Sequence, residues 1–309
     1  MIVSDLAPSS LRARLRGPGL WLRTGPLVIR VSSQLAAVAE GIAQLYALHP
    51  VEAEGSFADF HVSVDRPAGL RRWVQRQVVF YLDGEPPFAP LPGQQGFPLL
   101  EWGLNWCVYS HCHQYLTLHS AVVERDGLAM ILPAPSGSGK STLCAALAFR
   151  GWRLLSDELA VIQPETGQLV ALPRPISLKN RSVDVLRAFA PEAMIGRVVP
   201  DTIKGSVAHV RPPPDALARG QQGARPRWIV LPRYVADAPA QLRPLPRAKA
   251  LMALLDHAFN YNLHGREGFA ALARVVDACD CYEFSYGRLD DAVAVFDRLV
   301  QDARRAPAA

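Results

Sequence analysis

Lysine is scarce in this chain: of 33 basic residues only four are lysines, Lys140, Lys179, Lys204 and Lys249. A compact ammonium on a flexible stem reaches into an anion cradle as a point charge, so the place of each lysine carries information. No apolar run approaches the ~18 residues that a membrane helix needs. The opening MIVSDLAPSS lacks the basic flank and apolar core of a signal peptide. The expectation is a cytoplasmic chain with no membrane insertion. The five cysteines are odd in number and show no disulfide framework, which points to reduced thiols. No dense basic cluster accompanies the net charge of +5, so nucleic acid is not the expected partner and an anionic small molecule suits the charge equally well. There is no internal repeat. Hydrophobic residues at 50% and charged ones at 20% exclude a disordered or collagen-like chain.

What is present has the rhythm of an α/β protein of about two domains. Residues 20–32 read as two strands turning at Gly25-Pro26, 34–48 as a helix, and HVSV and VVFYLD as strands. EPPFAPLPGQQGFP then breaks the pattern and sets a boundary near residue 97. A helix follows over 99–115, with Trp102, Trp106 and Tyr109 at burial spacing. The strands LTLHSAVV and LAMILPA come next, then the helix TLCAALAF, and RLLSDELAVI as a short strand with acids in it. The Pro-, Gly- and Arg-rich stretch 212–226 reads as a mobile loop. WIVLPRYV and CYEFSYG are expected strands, with helices over 246–258, 266–276 and 288–304. His111-Cys112-His113 and Cys279-Asp280-Cys281 do not have zinc spacing.

The strongest signal is the segment from Pro133 to Thr142, PAPSGSGKST, entered from an apolar strand and followed by a helix. Ser136, Gly137, Ser138 and Gly139 form a turn without bulky side chains, so main-chain amides can wrap an anion at a helix N-terminus. Phosphate is the natural guest. Lys140 would reach β and γ phosphates, Ser141 would complete a magnesium shell, and Thr142 sits in the first helical turn. The first glycine of the GxxxxGK[ST] pattern is replaced by Ala134. Sixteen residues past Ser141 stand Asp157 and Glu158. If their strand lies beside the one feeding the loop, one acid can hold magnesium and the other accept a hydroxyl proton, which suits phosphoryl transfer.

These residues resemble the HPr kinase/phosphorylase family, and in particular its shorter HPr kinase-related kinases (HprK-related kinase A type). The resemblance rests on His119, 21 residues before Lys140, on the loop Ser136–Ser141, on Arg150-Gly151-Trp152 and on the adjacent acids Asp157 and Glu158. It is close over roughly residues 100 to 180. It implies an α/β P-loop kinase domain of the HPr kinase/phosphoenolpyruvate carboxykinase type over 98–309; the strands and helix before the proline-rich break are expected to form a small N-terminal α+β domain over 1–97, for substrate recognition or regulation. The implied activity moves the γ-phosphoryl of ATP, with Mg2+, to a serine hydroxyl. Asp157 and Glu158 would supply the metal contact and the base, with Asp157 the first choice for catalysis, and His119 would sit near the phosphates or the acids as an orienting group. The family's acid pair is Asp-Asp, and the glycine-rich signature of the bifunctional enzymes does not follow the acids here. The first 97 residues do not resemble the regulatory domain. A peptide or another protein is therefore the expected acceptor, and a homo-oligomer is left open.

Arg174, Lys179, Lys204 and His209 are further candidates, on segments that could close over the nucleotide and neutralise the transferred phosphate. The alternative function is a P-loop ATPase or nucleotide-dependent switch that phosphorylates nothing.

Overall fold

The computed structural model describes residues 1–67, 76–135 and 137–305, and its architecture is mixed α/β. Strands Leu20–Thr24 and Leu27–Ser32 form the expected hairpin around Gly25-Pro26. Gly25 has φ 56°, and a Cβ there would meet the Ala171 carbonyl oxygen at 2.1 Å. Only glycine lets the hairpin tip press so closely on the later part of the chain. Helix Ala36–Leu45 buries Val38, Ala39, Ile42 and Leu45, one face at helical spacing. It carries the chain over to Phe60–Asp65, which runs parallel to Leu27–Ser32. Gln77–Leu82 and Leu91–Pro92 complete a five-stranded sheet. Its apolar cluster includes Leu22, Ile29, Val62 and Phe80, and runs on through Leu99, Leu100, Leu104 and Val108 of helix Gly96–His111. Leu159, Val161 and Leu172 join the same cluster from farther along the chain.

The larger sheet has eight strands. At its centre Arg225–Tyr234 runs parallel to both Leu128–Pro133 and Asp280–Tyr286, and antiparallel strands flank this core. Alternation along Leu128–Pro133 shows why both faces are covered. Met130 and Leu132 pack with Leu143, Leu147 and Phe296 from helices Lys140–Ala148 and Leu289–Arg305. Ala129 and Ile131 pack with Leu254, Leu272 and Val275 from helices Arg247–Asp256 and Gly265–Asp277 on the other face. A three-stranded sheet, in the order Ile176–Lys179, Gly205–Val210, Val199–Thr202, adds Ile176, Leu178, Ala208 and Val210 to the first of these layers. Among the described residues no helix is long and apolar enough to cross a membrane. The five cysteines are buried and unpaired.

Two expectations need correction. RLLSDELAVI is two strands, Arg153–Ser156 and Leu159–Ile162, broken at Asp157-Glu158. They do not lie beside the loop-feeding strand, because both pair antiparallel with Leu116–Arg125, which stands between. That strand is ten residues long, enough to hold both halves along one edge while the acids leave the ladder. The stretch 212–226, read as a mobile loop, contains helix Pro214–Ala218 with proline at its start. The buried Arg153, ion-paired with Glu124, donates to the carbonyls of Arg219 and Gln222 at 3.1 and 2.7 Å. A fixed guanidinium thus pins backbone that composition alone reads as loose.

Candidate functional site

Strand Leu128–Pro133 leads through residues 134–139 into helix Lys140–Ala148. Gly137 and Gly139 have φ 88° and 90°. Ala134 is buried and its φ is not positive, which explains why no glycine is required there. Ser136 lies outside the described residues. The loop is tied back by its carbonyls: Ser138 O accepts from the Tyr234 amide at 2.9 Å, and Gly139 O from the Tyr286 hydroxyl at 3.0 Å. First-turn amides have no partner within a helix, so this end is a site of positive potential suited to an anion. The buried Ser138 Oγ also has no hydrogen-bond partner. Ser141 and Thr142 are half-buried in the first turn.

Gly139 is the residue on which this loop turns. A Cβ there would stand 2.5 Å from Tyr286 Oη and 2.9 Å from Tyr234 Cβ, at a φ that side chains avoid. Gly139→Ala is expected to destabilise the fold by about 1–3 kcal/mol. Thermal unfolding checks this, and an unchanged midpoint would mean that the loop does not depend on that close approach.

The intervening strand Leu116–Arg125 places His119 between loop and acids. Lys140, only 5% exposed, puts Nζ 3.3 Å from His119 Nε2. An ammonium only donates, so Nε2 accepts and the ring proton sits on Nδ1. Nδ1 faces Glu158 Oε2 at 3.5 Å. Burial, then the Lys140 charge, lowers the imidazole to about 4, so His119 is neutral at pH 7. Burial pushes Lys140 below its ordinary value. Burial would raise Glu158, but Lys140, His119, Lys179 and Lys204 outweigh it and hold the carboxyl below its usual range. Asp157 goes the other way: burial, then the neighbouring Glu158, raises it to about 6. Asp157 Oδ2 accepts from the Ser177 amide at 3.0 Å, and the Ser141 hydroxyl also hydrogen-bonds Asp157. Its buried Oδ1 has no partner.

An unpartnered buried carboxylate oxygen, a hydroxyl beside it and a second ionised carboxylate are hard oxygen donors of the kind magnesium takes. Among the described residues no cluster of three His, Cys, Asp or Glu forms a cage, and a cation carried on phosphates needs only one or two carboxylates. Asp157, Glu158 and Ser141 therefore fit such a group.

The other candidates divide. Arg174 and His209 are buried below the acids rather than on closing loops. Arg174 reaches Glu101 at 3.5 Å and also bonds Asn105, while Tyr46 donates to Glu101 at 2.6 Å. A buried network thus links the first sheet's core to the floor of the site. Burial lowers His209 to about 3. Arg174 Nε, Ser177 Oγ and His209 Nε2 have no partner, and these residues line one chamber with Asp157. Lys179 lies near enough to lower Glu158, and Lys204 is exposed with its ammonium 5.4 Å from the centre of the Trp102 ring.

Several residues here escaped the sequence reading. Tyr234 and Tyr286 arrive on strands whose local pattern says only that they are strands, and Ser177 lies on a segment read for Arg174 and Lys179 as one that closes over the nucleotide, which the structure shows as the strand Ile176–Lys179. Trp102, Asn105 and Tyr109 share a helix face that borders a cleft of about 490 Å³, together with His257 and Phe259. Of the aromatic trio, Trp106 packs on Phe88 and His111 as expected, whereas Trp102 belongs to none of the apolar clusters. Asn260 is structural: it accepts from the Thr117 amide at 2.9 Å and donates to Tyr115 O at 2.8 Å, fixing the turn that carries Phe259.

The fold and site together define a mixed α/β protein in which a glycine loop joins a strand to the N-terminus of a helix and is faced by the buried Asp157 and the partly buried Glu158. Residues 100–182 match the family described as ScmC, SynChlorMet cassette protein ScmC. The chain is also similar to the structure of the Hpr(Ser) kinase/phosphatase from Coxiella burnetii, at 13% sequence identity over 61% of this chain and 95% of that one, with a TM-score of 0.26. No curated protein matches the chain.

Proposed function

We propose that this protein is a Mg-ATP-dependent P-loop kinase that moves the γ-phosphoryl group to a serine hydroxyl of a peptide or protein. The observation that carries this reading is the convergence of Lys140, His119, Asp157 and Glu158 in front of the glycine loop. The loop amides bind the triphosphate, and Lys140 leaves His119 to contact its outer phosphates. Bound magnesium would be held by Ser141 and Asp157, with Glu158 beside them, and supplies charge neutralisation of the phosphates. Asp157, hydrogen-bonded to Ser141, is at the metal end. Glu158 borders the open cleft and is at the acceptor end, which assigns it the task of taking the hydroxyl proton. His119, neutral with its Nδ1 proton on Glu158, keeps that carboxylate oriented and ionised.

The test is incubation with γ-labelled ATP and host lysate, followed by identification of the labelled species. Label on serine supports the reading, and label released only as free phosphate overturns it in favour of an ATPase.

A further inference from the structure

Glu158 borders two cavities of different kinds. One is the closed chamber with Asp157, Arg174 and His209, of about 10 Å³, room for about one water. The other is the open cleft of about 490 Å³, whose inner end is His119 and Glu158. A hydroxyl approaching Glu158 from outside has the width it needs only on the cleft side.

The walls of this cleft say what accompanies the hydroxyl. Trp102 stands on one wall under the Lys204 ammonium, and Phe259 stands on another, stacked on Tyr109 with ring centres 4.3 Å apart. Beyond the catalytic groups and Lys204, the polar members of the lining are Asn105, Asp256 and His257, with the hydroxyl of Tyr109. Ile203, next to Lys204 in a tight turn where Thr202 Oγ1 donates to Gly205 O at 2.7 Å, is 96% exposed, and Phe259 is 41% exposed. Phe259 in the lining and Ile203 on the turn that carries Lys204 are apolar side chains left bare beside the cleft, where a bound polypeptide would cover them. A small molecule confined to the cleft leaves Ile203 in water, whereas a polypeptide lying across the mouth covers it.

We propose that this cleft is the acceptor groove and takes a polypeptide segment whose serine is flanked by an apolar or aromatic residue, seated between Trp102 and Phe259 with Ile203 against the adjoining chain. This rests on the kinase reading above. The groove sets acceptor choice and leaves nucleotide binding to the loop.

The experiment uses the full chain with Mg-ATP and a panel of synthetic peptides in which the neighbours of one serine are Phe, Leu, Asp or Lys. It compares the wild type with Trp102→Ala and Ile203→Asp, and measures ATP affinity by titration for each. Ile203 is almost wholly in solvent, so its variant keeps the test valid if Trp102→Ala fails to fold. The expected result is kcat/KM for Phe- or Leu-flanked peptides about tenfold or more above the Asp or Lys versions. Both variants erase that preference through a higher KM for peptide, with ATP affinity unchanged. The proposal is overturned by equal use of all peptides, by preference for Asp or Lys alone, or by variants that keep the apolar preference. Label transferred only to a small molecule also overturns it while the phosphotransferase stands. Release of free phosphate with no acceptor labelled removes the kinase reading itself.

Discussion

Lys140→Ala is expected to lower ATP turnover by about a hundredfold to a thousandfold or more. The ammonium sits at the start of the loop helix, 5% exposed, with His119 Nε2 as its neighbour at 3.3 Å. In such a site a charge is weakly screened and acts on the outer phosphates far more strongly than a surface lysine would. Lys140→Arg should fail as well, because a planar fork does not fit where a compact ammonium is enclosed. Steady-state turnover with purified variants measures the effect. Retained phosphoryl transfer by Lys140→Ala would end the assignment of the loop.

Asp157→Asn is expected to leave nucleotide binding mostly intact and reduce transfer by orders of magnitude, while making the protein more stable. The two effects share one cause. Asp157 titrates near 6 in the folded chain against an ordinary value of 3.8. Between those values the unfolded chain has released a proton that the folded chain still holds, so stability falls as pH rises through the window. Above it the folded state carries the whole penalty of a buried carboxylate. Asparagine keeps an acceptor for the Ser177 amide and removes the charge, for a gain on the order of 1–2 kcal/mol at pH 7 that vanishes near pH 4. Denaturant unfolding at the two pH values reads this directly. Unchanged transfer would clear Asp157 of its role, and an equal gain at both pH values would sink the electrostatic explanation.

The elements that local pattern controls were legible from the residues alone. The Gly25-Pro26 hairpin, helix Lys140–Ala148 after the glycine loop, and the closing helices Arg247–Asp256, Gly265–Asp277 and Leu289–Arg305 all follow from side-chain periodicity and turn residues within a few positions. The glycine loop and the adjacent acids were visible as motifs, but that Lys140 and Glu158 both meet His119 is a fact of the fold, because the strand Leu116–Arg125 stands between them.

Strand order could not be read in this way. The pairing of His119's strand with both halves of the acid segment, and the break at Asp157-Glu158, arise from contacts between residues far apart in the chain. The same holds for Arg174 and His209. In sequence they are cations near a kinase-like motif, and in the fold they are buried beneath the acids with Glu101 and Phe97 as neighbours. Hydrophobic periodicity specifies which face of an element is hidden but not what hides it. The choice of neighbour is made when sheets and helices pack, and that step also turned Trp102 toward a cleft and left Ile203 in water.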